Sequence, residues 1–241
     1  MLVRCFQKDQ PMTTPRAILF DLDDTLWPIG PVIARAEELV HAWLVANAPR
    51  VAARFSIEEL RAARMALLHA EPAYQLDLGA LRRAGLLAAF AEVGDDTAKV
   101  EHAMAVYYQA RNTVELYEDV LPALAEIGAL AVVGSISNGN ADLHSIGLAH
   151  HFHFSLSANA HGSAKPDPAI FLAACAALNV APGDAVYVGD DILLDVQGAQ
   201  RAGLRAVWLN RTGSMRHLEH GVVPDAICRD LHQLLDWLRQ A

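Results

Sequence analysis

At 241 residues, 53% hydrophobic and 20% charged, the chain has apolar material for one large domain or two modest ones, which excludes a disordered polypeptide. The formal charge of −9, without a basic cluster or an aromatic-interleaved Lys/Arg stripe, argues against a nucleic-acid partner, and the short, charge-broken apolar runs argue against a membrane span. Cys5, Cys175 and Cys228 are odd in number, widely spaced and free of CxxC pairing, so they read as reduced thiols of a cytoplasmic protein rather than a disulfide framework or a zinc site.

Residues 1–11 read as a ragged N-terminal extension. Their apolar part is too short for a secretory signal and runs into Lys8, Asp9 and Gln10, and Met12 offers an alternative start. Residues 17–20, AILF, form a short apolar run of strand type that ends in Asp21, Asp23 and Asp24. From Pro31 to Arg111 the periodicity is helical throughout. Ile33, Ala36, Val40, Trp43 and Leu44 share one face, with Arg35, Glu37 and Glu38 turned away from it. Ser56 and Glu59 have capping-box spacing ahead of a helix carrying Ile57, Leu60, Leu67 and Leu68, and two further helical stretches lie around 86–93 and 100–111.

After Thr113 the pattern changes to strands alternating with helices. Strands are expected at 130–137, 152–156, 185–190, 205–209 and 225–228, and Asp167 with Pro168 reads as the N-cap and first position of a helix. Such alternation predicts an α/β fold, a doubly wound parallel sheet covered on both faces. The chain thus divides into an α/β core, 12–30 with 113–241, and an all-helical block, 31–112, inserted after the first strand. A parallel sheet binds ligands at the carboxyl ends of its strands, the end over which the insertion lies.

Polar residues collect at those ends. Strand one ends in Asp21 and Asp23, the 130s strand in Ser137, Asn138 and Gly139, and the 185–190 strand in Asp190 and Asp191, with Asp195 shortly after; Lys165 precedes the Pro-Asp-Pro helix start. Carboxylates crowded into one crevice repel one another unless a cation sits among them. A hard ion with oxygen ligands suits the set, and Mg²⁺ also keeps waters for a phosphate. Ser137, the amides of Asn138 and Gly139, and Lys165 would offset the repulsion between an anionic phosphate and a carboxylate nucleophile. This chemistry points to phosphoryl transfer through an aspartyl-phosphate, with Asp21 attacking in line and Asp23 exchanging the proton. Asp24 is expected to face away in a local hydrogen-bonding role.

The segments FDLDDTL, SISNGN, KPDP and VGDDILLD resemble, in order, the four motifs of the haloacid dehalogenase superfamily, across residues 17–212. The resemblance implies a Mg²⁺-dependent phosphatase of small phosphate esters. It places metal on Asp21, the Asp23 main-chain carbonyl and Asp190, assigns Ser137 and Lys165 to the phosphate, and leaves Asp191 and Asp195 as further metal candidates. AEPAYQLD, HGSAKP and VGDDILLDVQGA are similar to bacterial members of that superfamily acting on flavin mononucleotide and on a ribityl phosphate of the riboflavin pathway. Tyr74 and Trp27 are the aromatic residues proposed to stack on such a ring. Arg82, Arg83, Tyr107, Tyr108 and Arg111 read as scaffold and surface, His150, His151 and His153 as the flank of a strand, and His161 as a weak candidate near the phosphate. The alternatives are a phosphosugar mutase with the same core residues and a non-enzymatic phospho-receiver switch. Dehalogenation fits less well, since it needs neither an acid/base at position 23 nor a metal site.

Overall fold

A computed structural model describes residues 14–215 and 220–240. The N-terminal extension, with Cys5 and Met12, lies outside the described residues. Six strands form one sheet: β1 (Ala17–Phe20), β2 (Val132–Ser137), β3 (Phe154–Ser157), β4 (Ala185–Gly189), β5 (Arg205–Leu209) and β6 (Ala226–Cys228). Their order is β3-β2-β1-β4-β5-β6, and every pairing is parallel.

Both faces of the sheet are covered, so β1 carries no polar residue and all four of its side chains are buried. Ile18 and Phe20 point to one side. There they meet α6 (Val120–Leu130) and α11 (Leu231–Leu238) through Val120, Leu124, Leu231 and Leu235. Ala17 and Leu19 point to the other, toward α9 (Pro168–Ala177) through Ile170, Phe171 and Ala174. The period-2 alternation of a strand thus feeds two apolar layers. Cys175 and Cys228 are buried free thiols, and burial pushes the pKa of each up to about 11.

Between β1 and α6 the chain is helical: α1 (Ile29–Asn47), α2 (Pro49–Arg54), α3 (Ile57–Ala70), α4 (Leu78–Val93) and α5 (Val100–Arg111). α1 begins two residues before the expected boundary, because Pro31 falls within its first turn, where a missing N–H costs nothing. Ser56 accepts the Glu59 amide while Glu59 reaches back to the Ser56 amide, the reciprocal capping box expected from spacing. The α4 helix stops at Gly94, whose φ of +65° is open to glycine. These helices bury a third apolar cluster of their own, including Val40, Leu44, Phe90, Val100 and Met104.

One expectation fails within this unit. Glu37, placed on the outward face of α1 by periodicity, is 5% exposed and ion-paired to Arg61, Arg64 and Arg82 from α3 and α4. A period read from one helix cannot show that neighbouring helices will bring three guanidinium groups to cover its polar face. Among the described residues no helix is long and apolar enough to cross a membrane.

Candidate active site

The register of the central strands sets the site. Phe20 pairs with Ser135 on β2 and with Val188 on β4, so Asp21 and Asp190, just past their strands, and Ser137, the last residue of β2, emerge together at the carboxyl edge. The Asp21 amide donates to the Val188 carbonyl at 2.9 Å, fixing the backbone where the strand ends. Its Oδ1 accepts from Lys165 Nζ at 2.5 Å and its Oδ2 from the Thr25 hydroxyl at 3.2 Å. Lys165 Nζ also donates to Asp195 Oδ1 at 2.6 Å and to the Tyr187 hydroxyl at 2.9 Å. Asn138 anchors this lysine: its side-chain amide donates to the Lys165 carbonyl at 2.9 Å and accepts the Lys165 amide at 2.8 Å. The side chain of Asn138 is therefore committed to the loop that carries the cation.

Carboxylate oxygens of Asp21, Asp190 and Asp195 all lie within 4.8 Å of one another, the one such ligand group among the described residues. Burial is the main cause that raises the Asp21 pKa to about 7; Lys165 opposes it, and the charges of Asp195 and Asp23 add to it. Burial, then Asp195, Asp21 and Asp24, raise Asp190 to about 8. For Lys165, burial acts to lower the pKa, but Asp195 and Asp21 outweigh it and hold the ammonium well above its usual range. Three carboxylates against one ammonium leave an excess of negative charge, and the donors are all oxygen. This set fits a hard divalent cation. A cleft of about 420 Å³ opens beside it, lined in part by Asp24, Tyr117, Asp190 and Arg211.

Asp191 stands apart from the three. Its Oδ1 accepts the amides of Leu193 and Leu194, capping the single π-turn Ile192–Gln197 that carries Asp195 inward. Asp195 Oδ2 in turn accepts the Asp191 amide at 2.9 Å. Asp23 also lies outside the cluster. Its Oδ1 accepts Trp27 Nε1 at 2.9 Å, and both of its oxygens accept from Arg111 Nη2 at 2.7 Å. Asp24 has a positive φ of 58°, and its side chain accepts the Ile29 amide at 2.9 Å. The Ser137 hydroxyl accepts the Gly139 amide at 2.9 Å, closing a tight turn at the end of β2.

The two aromatic expectations fare differently from the acidic ones. Trp27 is fully buried in the layer beneath the sheet, so its faces pack on protein and only its N–H reaches the site. Tyr74 is half-buried in a short turn, Pro72–Leu76, which packs on α3 and α4. The imidazoles of His150 and His151 lie against each other at a 39° tilt just before β3, and His161 ends the short α8 (Ala158–His161), flanked by Gly162 at φ +83°.

Three contributors escaped the sequence reading. Thr25 touches Asp21 and reaches Asp190 at 3.4 Å, and its place four residues after Asp21 was the available signal. Tyr187 looks like core in a strand of apolar residues, yet its hydroxyl receives Lys165. Arg111, read as scaffold, is 1% exposed and reaches Asp23 from the far end of the insertion, a partnership across 88 positions that no local pattern announces.

Residues 15–203 match the model of the haloacid dehalogenase-like hydrolase family. The chain is 31% identical over 204 residues to the 5-amino-6-(5-phospho-D-ribitylamino)uracil phosphatase YigB of Escherichia coli K12, covering 83% of this chain and 85% of that one. It is also 31% identical to a glyceraldehyde 3-phosphate phosphatase of Methanopyrus kandleri, covering 93% and 97%. Among solved structures, one described as a 2-haloacid dehalogenase from Pseudomonas syringae pv. tomato DC3000 superposes with a TM-score of 0.86 at 36% identity, covering 94% of this chain and 99% of that one.

Proposed function

Because the chain belongs to the haloacid dehalogenase-like hydrolase family, we propose that it is a phosphoric monoester hydrolase acting on small-molecule phosphates through an aspartyl-phosphate on Asp21. One observation carries the reading: Asp21 is fixed between Lys165 and Thr25 and flanked by Asp190 and Asp195, with a second aspartate, Asp23, two residues on. The cation proposed for this set is Mg²⁺, which Asp21, Asp190 and the Asp23 carbonyl would hold with Asp195 nearby and which would screen the phosphate from the carboxylates.

The chain's own groups divide the remaining work. Lys165 and Thr25 orient the two oxygens of Asp21, so that one lone pair is presented to phosphorus without a search over rotamers. The Ser137 hydroxyl and the Asn138 amide at the end of β2 offer donors to the phosphoryl oxygens. Asp23 hands a proton to the departing alkoxide and afterwards takes one from the attacking water. The helical insertion acts as a cap, excluding bulk water while the intermediate exists. Flavin mononucleotide and ribityl phosphates are the proposed substrates, supported by the likeness to the Escherichia coli enzyme.

A second reading, carbon–halogen hydrolysis, draws on the structural likeness to the Pseudomonas syringae protein. It leaves the acidic cluster and Asp23 without a task, because a halide departs without a proton. The deciding experiment measures phosphate release with Mg²⁺ from flavin mononucleotide, ribityl phosphates and p-nitrophenyl phosphate, and halide release from 2-chloropropionate, for wild type and Asp21→Asn. Phosphate release that disappears in the variant is expected. No release from any ester, or undiminished release by Asp21→Asn, would overturn the reading.

A further inference from the structure

Arg111 ends α5, the last helix of the insertion, yet its guanidinium is buried against the core. Nη2 is spent on the two oxygens of Asp23, whereas Nη1 is buried with no hydrogen-bond partner. A guanidinium stays charged in a protein, and an unmade hydrogen bond on a buried donor is costly, so the arrangement is incomplete as it stands.

Gly139, in the turn that ends β2, lies against the same pair. A Cβ built on this residue would lie 2.7 Å from Asp23 Oδ2, 3.2 Å from Ser137 Oγ and 3.4 Å from Arg111 Nη2. Three polar groups thus close on the bare Cα of the turn that follows Ser137, an approach that a side chain at this position would block. Lys165, the other buried cation at this edge, is already divided between Asp21 and Asp195. Arg111 carries a planar fork with one prong on the Asp23 carboxylate and the other still unpaired, a charged donor left for an anionic oxygen.

We propose that Arg111 is a phosphate-binding residue lent to the core by the helical insertion, its unpaired Nη1 donating to a non-bridging phosphoryl oxygen at the carboxyl end of the sheet. The proposal rests on the phosphatase reading for its ligand. It goes beyond that reading by making the phosphate cradle a joint product of core and insertion. Arg35 near the start of α1 donates to the carbonyls of Ala110 and Thr113 on either side of this residue, so the second connection to the core is braced at the point where Arg111 enters.

The test is the affinity for inorganic phosphate, measured by titration calorimetry and as competitive inhibition in the presence of Mg²⁺, on wild type, Arg111→Gln and Arg111→Lys. Arg111→Gln is expected to weaken phosphate binding roughly ten- to hundredfold, with KM for the ester rising in parallel and Arg111→Lys recovering part of the loss. Unchanged phosphate affinity in a folded variant, with only kcat reduced, would overturn the proposal, because Arg111 would then act through Asp23 alone. If Arg111→Gln does not fold, the lysine variant decides by the same criterion. The phosphatase reading fails separately: a wild type that binds phosphate in an Arg111-dependent way but hydrolyses no ester would refute that reading and keep this one.

Discussion

Tyr187 supports Lys165 from within the sheet: its hydroxyl accepts from the ammonium at 2.9 Å and donates to the Ile136 carbonyl at 3.0 Å. The ring is fully buried and packs edge-on against Phe171, so the hydroxyl has no freedom to turn elsewhere. Tyr187→Phe preserves that packing while stranding the Ile136 carbonyl and releasing one of three restraints on Lys165. Expected are a stability loss of about 1–3 kcal/mol by chemical denaturation and a larger proportional fall in kcat/KM. Full activity at reduced stability would show that Asp21 and Asp195 alone suffice to place the lysine.

Asp191 and Asp195 separate by substitution. Asp191→Ala removes a cap from the π-turn and should cost about 1 kcal/mol, with turnover little changed. Asp195→Asn keeps the shape but takes away one of the two charges paired with Lys165, and kcat should fall by roughly 10–100-fold. Steady-state kinetics on both variants decides; a reversal of the two effects would place the working carboxylate at Asp191.

Gly189 provides a steric route to the same carboxylate. A Cβ there would lie 2.3 Å from Asp195 Oδ2 and 2.7 Å from Asp195 Cβ, so Gly189→Ala must displace the whole side chain. A loss of about 1–3 kcal/mol by denaturant unfolding is expected, together with weakened Mg²⁺ dependence of activity.

The raised pKa values of Asp21, about 7, and Asp190, about 8, give a pH dependence whose sign can be worked out. Without metal, the folded state binds protons that the unfolded state has released above the usual carboxylate range. The stability from these two groups is therefore complete at acid pH and is lost as pH rises through 7 and 8. A divalent cation competes with those protons. The rise in Tm produced by Mg²⁺ should accordingly be small at pH 5.5 and grow toward pH 8.5 in thermal unfolding scans. A rise that is equal at every pH would show that the ion binds away from these carboxylates.

Glu37 offers a test confined to the insertion. Burial acts to raise its pKa, but Arg61, Arg64 and Arg82 together hold it below the usual range, so its contribution is present at neutral pH and is lost on acidification. Glu37→Gln leaves three guanidinium groups facing an amide, and a destabilisation of about 3 kcal/mol is expected from differential scanning calorimetry.

The strands and the acidic residues at their ends were legible because both signals are local. An apolar run that stops at an aspartate can be read without knowing its neighbours, and β1, β2, β4 and β5 occur where the runs predicted them. The helical insertion was legible from its period, and the α3 N-terminus from the Ser56 and Glu59 pair. What the sequence hid depends on contacts between distant segments. Glu37 became a buried ion-pair centre, Trp27 was enclosed in the core instead of facing a ligand, and Arg111 crossed from α5 to Asp23. In each, residue type was visible but orientation was set by elements that only tertiary packing brings near.

The central place of β1 in the sheet has a consequence for how the molecule comes into being. The strand that carries Asp21 is the first to be synthesised, but both of its hydrogen-bonded neighbours, β2 and β4, follow the entire insertion, and Lys165 lies 144 positions from Asp21. Loop closure over such spans is slow. The helices in between bury their shared cluster among themselves, α1 chiefly against α5, without any strand of the sheet. The acidic crevice thus draws its parts from segments on both sides of the insertion, and it is complete only once Asp190 and Asp195 have joined the chain.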